Sequence, residues 1–396
     1  MTMHTAATMN DGPAIPEFSM FGGPLQRLGR RLGLVRDTNS FRLGLALGVL
    51  AWVVLALLML LMGVGRRLFA LDTIGVHVRF LVAVPLFFLC ETWVAPRMAE
   101  FVNDIVRSGV VPASEYPALA RVIRRVDRLK DPWLAEVCFL LAVVSFVFVE
   151  PFASLPGRTG NWDLLLTQSG GRLGPILRWY LWFCLPLFRF LMLRWLWHLG
   201  LWCYFLWRVQ RLELHLVPTH PDHAAGLGYL EIVQEHFAVL ATAISAVLAA
   251  SFAEGIAAGD MAFEALYGLV PLVLLLTALL FGGPLLIFCH RLWACRVTGW
   301  SEYMGMASRY VQAFDRKWIR GDNPCGEMIL GTPDMQSLAD LTNSVNVVRE
   351  MQWLPGSRRL VLGLAASAVL PMLPLAFLKY PVGDLAARLF STLMGL

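Results

Sequence analysis

Charge is scarce in this chain. Asp, Glu, Lys and Arg together make up 15% of its 396 residues, against 57% apolar residues. A soluble domain carries about a quarter charged residues, so the composition excludes an ordinary water-facing globule of this size. Cysteine pairing is missing too. Cys90, Cys138, Cys184, Cys203, Cys289, Cys295 and Cys325 lie mostly in or beside apolar runs and form no CxxC, which argues against a disulfide framework or a cysteine zinc site. There is no Walker A sequence, no GxGxxG following a strand and no GxSxG elbow, so nucleotide-driven transport, dinucleotide binding and serine hydrolysis lack support. No internal repeat is visible, which leaves an inverted-repeat transporter unsupported.

What is present is a series of long apolar segments. A helix needs roughly 20 apolar residues to cross the ~30 Å hydrocarbon core, because in lipid its amides must bond within the helix. Seven stretches are read as spans: Leu43 to Met62, Phe80 to Val94, Trp133 to Phe152, Ile176 to Trp207, Tyr229 to Phe252, Leu266 to Phe288 and Leu360 to Leu378. The predicted fold is an all-α polytopic transmembrane bundle. Its fourth span is long enough to tilt, bend at Pro186 or project beyond the bilayer. Residues 1–40 read as a mobile cytoplasmic segment rather than a cleavable signal. Residues 41–396 form one membrane domain with helical insertions at 97–132 and 291–359.

Basic residues set the orientation. With the N-terminus in the cytoplasm, 23 of the 33 Lys and Arg fall inside and seven outside, so the positive-inside rule predicts N-in and C-out. The net charge of +5 is then a membrane-orientation signal and requires no nucleic acid. The insertion 97–132 reads as two amphipathic helices broken around Gly109 to Pro112, the second capped by Ser114. Its Arg121, Arg124, Arg125 and Arg128 recur at helical spacing opposite Leu119, Val122, Ile123, Val126 and Leu129. That pattern fits a helix on anionic lipid headgroups, or equally one packed on the protein with a solvated basic face. The insertion 291–359 carries an aromatic stripe ending in FDRKW, a Gly- and Pro-rich turn, and a helix starting at GTPD with Thr332 at its cap and Pro333 in its first turn.

Two groups of residues carry candidate chemistry. The first lies between spans four and five, in LHLVPTHPDHAAGLGYLEIVQEHF. His215, His220, Asp222, His223 and His236, with His290 from the end of span six, are of the types that ligate zinc, iron or manganese. Their spacing matches no standard site, and a turn with Asp222 or Thr219 capping the next helix explains half of them. Haem between His198, His236 or His290 is a further possibility. The second group lies inside the bundle. Arg189, Arg194 and His198 on span four, with Glu231, Glu235 and His236 on span five, form a possible polar substrate pathway, because ionisable groups in lipid are costly and face a bundle interior or wet cavity. Glu91, Glu136, Glu231 and Glu235 supply possible partners, so buried Arg–Glu pairing between helices is the competing reading.

The segments THPDHAAGLGYL, FDRKW and GTPDMQSLADL together resemble a group of uncharacterised multi-span bacterial membrane proteins, over about Arg208 to Trp353. The resemblance implies a bacterial inner-membrane location and carries no activity or site residue. Three functions follow from the residues. The leading one is a channel or secondary transporter with its pathway between spans four to six. The others are a membrane-embedded enzyme with a cytoplasm-facing metal, and a structural subunit of a larger membrane complex, with further copies of the chain or other membrane proteins as partners.

Overall fold

A computed structural model describes residues 16–35, 39–130, 137–141, 143, 145, 174–320 and 331–379. Every regular element among them is helical. In chain order these are α1 (Pro24–Arg31), α2 (Phe41–Leu61), α3 (Ile74–Arg107), α4 (Tyr116–Lys130), α5 (Gly174–Val209), α6 (Tyr229–Ala258), α7 (Phe263–Ile319), α8 (Pro333–Glu350) and α9 (Arg358–Lys379). Among the described residues six, α2, α3, α5, α6, α7 and α9, are long and apolar enough to cross a membrane. Leu50, Leu57, Leu60, Leu275 and Leu279 stand outward and exposed on them, as expected where the surrounding solvent is hydrocarbon. The span read at Trp133 to Phe152 lies for most of its length outside the described residues.

The long fourth span is one continuous helix, and the reason it does not break at Pro186 is local. A proline clashes with the carbonyl of the residue four before it. Wider π turns at Val78–Ala83, Tyr180–Cys184 and Ala278–Gly282 stand immediately ahead of Pro85, Pro186 and Pro284, and each contains that residue. The helix widens to admit the ring instead of ending.

Close approach fixes the α2–α3 pair. A side chain at Gly48 would place its Cβ 2.1 Å from the Phe80 carbonyl oxygen, and one at Gly44 would strike the Phe88 ring at 2.5 Å. Small residues are what allow backbones in a membrane bundle to meet. The alanine-rich α6 packs on α3 and α9, where the Ser245 hydroxyl donates to the Ala368 carbonyl.

Three features add to the sequence reading. Residues 16–35, read as mobile, are folded into the bundle: Phe18, Met20 and Phe21 are buried in the common core. A Gly- and Pro-rich composition masked these side chains and Val35, which are large enough to anchor the segment. The two insertions also do not begin as separate helices. Span two runs on unbroken to Arg107, through Pro96, and span six runs on to Ile319. Ser114 lies in a 3-10 turn that leads into α4. Leu119, Val122, Ile123 and Val126 of α4 are buried against the protein, while Arg121, Arg124, Arg125 and Arg128 are exposed. The expected start of α8 is found, with Thr332 at the N-cap and Pro333 first in the helix.

Candidate functional site: a buried polar centre under the N-terminal segment

The deepest charges in the bundle meet between α3 and α5. Arg194 Nη1 donates to Glu91 Oε2 at 2.9 Å and Arg194 Nη2 donates to Oε1 at 3.0 Å. Gln26 of α1 adds a third donor, its side-chain amide, to Glu91 Oε1. Glu91 is 1% exposed, Arg194 and His198 3% each, and Gln26 6%. One turn beyond Arg194, His198 sits beneath the Phe21 ring at 4.9 Å and edge-on to Trp195 at 6.1 Å. Burying an ion pair is costly, and the bidentate geometry with a supporting amide is what makes this one tolerable.

An aromatic wall continues the site. Phe18 lies 4.5 Å from Phe205 and 6.4 Å from Trp202, which themselves stack at 5.6 Å. Gln234, with its amide turned to meet complementary groups, donates to the Phe281 carbonyl at 2.9 Å and accepts from Trp202 Nε1 at 3.1 Å.

A second polar cluster lies toward the opposite end of the same helices. Arg79 Nη1 donates to the Tyr180 hydroxyl at 2.7 Å and Nη2 to Ser251 Oγ at 3.3 Å, while Glu254 Oε1 accepts from the Gly75 N–H at 2.7 Å. Arg79 and Tyr180 belong to two of the π turns, and their hydrogen bond links α3 to α5 there. Arg79 and Glu91 are about 18 Å apart along α3 at 1.5 Å per residue. Half-buried Arg189 stands within electrostatic reach of Tyr180. Polar groups thus recur along the junction of α3, α5 and α6.

The residues named from sequence fall in several places. Arg194 and His198 belong to the buried centre. Glu231 accepts from the Ser357 N–H at 3.0 Å and from its hydroxyl, and Glu235 pairs with Arg359 at 3.4 Å, so both acids hold the start of α9. His236 Nδ1 donates to the Ile232 carbonyl at 2.7 Å. His215 and His290 are exposed on different elements. Topology brings helix ends together without turning their side chains to a common point. Among the described residues no group of three or more His, Cys, Asp or Glu is placed to hold a metal ion.

The His-rich loop has a structural core of its own. Asp222 accepts from the N–H groups of Ala224 (2.9 Å), Gly226 (3.0 Å) and Gly228 (2.8 Å), and His220 Nδ1 lies 2.7 Å from it. Burial works to raise the Asp222 pKa, but the three amides and His220 outweigh it and hold the carboxyl below its ordinary range. His223 and Ala225 take positive φ values of 54° and 55°, a strain that the staple sustains. The expected cap is therefore a loop staple reaching Gly228, and Thr219 instead meets the Tyr303 hydroxyl at 3.3 Å.

The His-rich loop packs on α7 and the end of α8, and the FDRKW turn meets the start of α8. Pro218 packs where Gly299 has no side chain, the His223 carbonyl accepts from Gln352 N–H at 2.7 Å, and Asp334 accepts from Lys317 at 2.9 Å and Trp318 at 3.0 Å. A surface cavity of about 540 Å³ is lined by Glu100, Asn103, Val106, Arg107 and Tyr229, and another of about 210 Å³ by residues that include Glu235, Arg359 and Gly363. Neither is lined by Glu91, Arg194 or His198. Gln26, Phe21, Arg79 and Tyr180 escaped the sequence reading, since no local pattern links α1 or a π turn to a distant span.

Comparison with protein-family models, curated proteins and solved structures gives no match.

Proposed function

We propose that this protein is a membrane transport protein, a secondary transporter or channel held closed, whose route follows the junction of spans two, four and five. The observation that carries the reading is the Glu91–Arg194–Gln26 network with His198 beside it, buried within apolar helices. Ionisable groups at such positions are costly, and an intramembrane one is read by default as part of a functional site. The Arg79–Tyr180–Ser251 cluster supports it by continuing polar lining along the same helices, and π turns at functional sites are a recurrent association. His198 is the group suited to proton coupling. The route moves from the four-to-six interface of the sequence reading because the partner of Arg194 is Glu91 on span two, while His290 faces outward.

The same reading takes seven spans, including Trp133 to Phe152, and an N-in, C-out orientation in a bacterial inner membrane. The supports are the basic residues and the resemblance of the second half of the chain. The exposed arginines of α4 then lie on the cytoplasmic side, within reach of anionic headgroups.

The test is flux in proteoliposomes that hold a pH-sensitive dye under an imposed potential, with labelled amino acids and dipeptides outside. Proton movement or uptake above protein-free vesicles, lost in folded Arg194→Gln, supports transport. Flux equal to protein-free vesicles in both proteins contradicts it. The competing reading, an assembly subunit, is favoured by Trp293, Val297, Trp300 and Met304, which stand exposed along one side of α7 beyond its apolar span. Cross-linking to a stable partner through cysteines placed at Val297 and Met304 is the outcome that reading requires.

A further inference from the structure

We infer that residues 18–26 are a displaceable occupant of a ligand site built from Glu91, His198, Trp195, Trp202 and Phe205, and that this site takes an aromatic, carboxamide-bearing, peptide-like ligand. The inference rests on the proposed transport route, whose polar centre this segment covers.

Each part of the segment fills a distinct part of the site. Phe18 occupies the aromatic wall of Trp202 and Phe205, at 6.4 and 4.5 Å. Phe21 covers His198 at 4.9 Å and meets Trp195 edge-on at 5.6 Å. The chain then turns at Gly23, whose φ of 98° is the left-handed region open to glycine, and Gln26 delivers a carboxamide N–H to Glu91. Two aromatic rings and one amide thus occupy an aromatic wall and one carboxylate that Arg194 has already neutralised. A neutral amide donor suits that acceptor better than a cation, because the pair's charge is balanced.

The segment is also built to leave. It belongs to no candidate membrane span, and the helix that follows it carries exposed Arg27, Arg30 and Arg31 beside exposed Leu28 and Leu32. Near its start Lys130 Nζ donates an exposed hydrogen bond to the Ser19 carbonyl at 2.9 Å, the one such tie from outside among the described residues. What it would uncover is apolar and polar together: the Trp202–Phe205 wall, the His198 imidazole under Phe21 and the Glu91 carboxylate. That combination of aromatic surface and a few placed polar groups is the usual make-up of a ligand site.

The test uses the full chain with all seven cysteines replaced and one cysteine placed at His198, labelled by a membrane-impermeant maleimide. Labelling is expected to be slow with the native segment and at least about tenfold faster with Phe18→Ala, Phe21→Ala and Gln26→Ala together, since these remove the contacts that keep the site closed. A synthetic peptide of residues 17–26, EFSMFGGPLQ, added in trans should restore protection, and the same peptide with both Phe replaced by Ala should not. Gel filtration and full labelling after denaturation confirm that each variant is folded and reactive. An unchanged rate in the folded triple variant overturns the inference and makes the segment a fixed part of the core. Faster labelling that neither peptide reverses also overturns it, since the site then takes no such ligand. Protection by the native peptide without any flux in proteoliposomes upholds the ligand site and removes the transport reading, so the two fail separately.

Discussion

Arg194 and Glu91 join two transmembrane helices through a bidentate pair whose side chains are 4% and 1% exposed. Removing one partner strands the other charge. Arg194→Met is expected to destabilise the protein by about 3–5 kcal/mol, whereas Glu91→Leu with Arg194→Met is expected to lie near the wild type. Thermal unfolding in detergent reads the order: wild type and double variant together, the single variant well below.

The α2–α3 contact admits no side chain at Gly48, where a Cβ would lie 2.1 Å from the Phe80 carbonyl oxygen. A backbone atom cannot swing aside as a flexible side chain does. Gly48→Ala should therefore cost about 1–3 kcal/mol or more, as overpacking does, and Gly363→Ala, which meets nothing within 4 Å, should be close to neutral. Parallel melting curves of the two variants check the contrast.

Asp222 ties its loop through three backbone amides. Asp222→Ala frees those donors and should destabilise by about 1.5–3 kcal/mol, the range for hydrogen bonds to a charged group. The carboxyl is held below its ordinary value of 3.8, so its contribution is complete above that value and is lost as the pH falls through the lower folded value. Limited proteolysis around residues 215–228 should accelerate at acid pH in the wild type, and should be fast at every pH in Asp222→Ala.

Glu231 receives both the N–H and the hydroxyl of Ser357, and Ser357 Oγ in turn accepts from the Leu360 N–H at 3.4 Å. Loss of that junction should loosen the start of α9. Glu231→Ala is expected to cost about 1–3 kcal/mol through the unmet donors and to raise hydrogen exchange over residues 357–361. If Glu231 lay on the route instead, the variant would lose flux while α9 kept its protection.

The membrane class and most span positions were legible because hydropathy is summed over some 20 residues and tolerates local exceptions. Arg194, His198 and Glu91 were legible as ionisable groups in apolar runs, but not which acid would face Arg194. That choice depends on the rotation of α3 against α5, which the π turns at 78–83 and 180–184 help to set, and a π turn has no strong sequence signature. The His-rich loop gave a dense pattern of ligand-type residues for a different reason. A strained turn draws on the same side chains as a metal site, and only the amides around Asp222 distinguish the two. Phe18, Phe21 and Gln26 were hidden in a segment whose Gly and Pro content resembles that of a mobile tail, although its side chains are buried in the core.

The central claim is that the Glu91–Arg194 centre serves a route and not only the packing of α3 on α5. Stability and flux separate the two roles in one protein, the Glu91→Leu, Arg194→Met double variant, compared with wild type in the proteoliposome assay at matched reconstitution. The account predicts wild-type stability with flux reduced to that of protein-free vesicles. A double variant that is equally stable and carries wild-type flux would contradict it, and would leave the buried pair as a structural tie between two membrane helices.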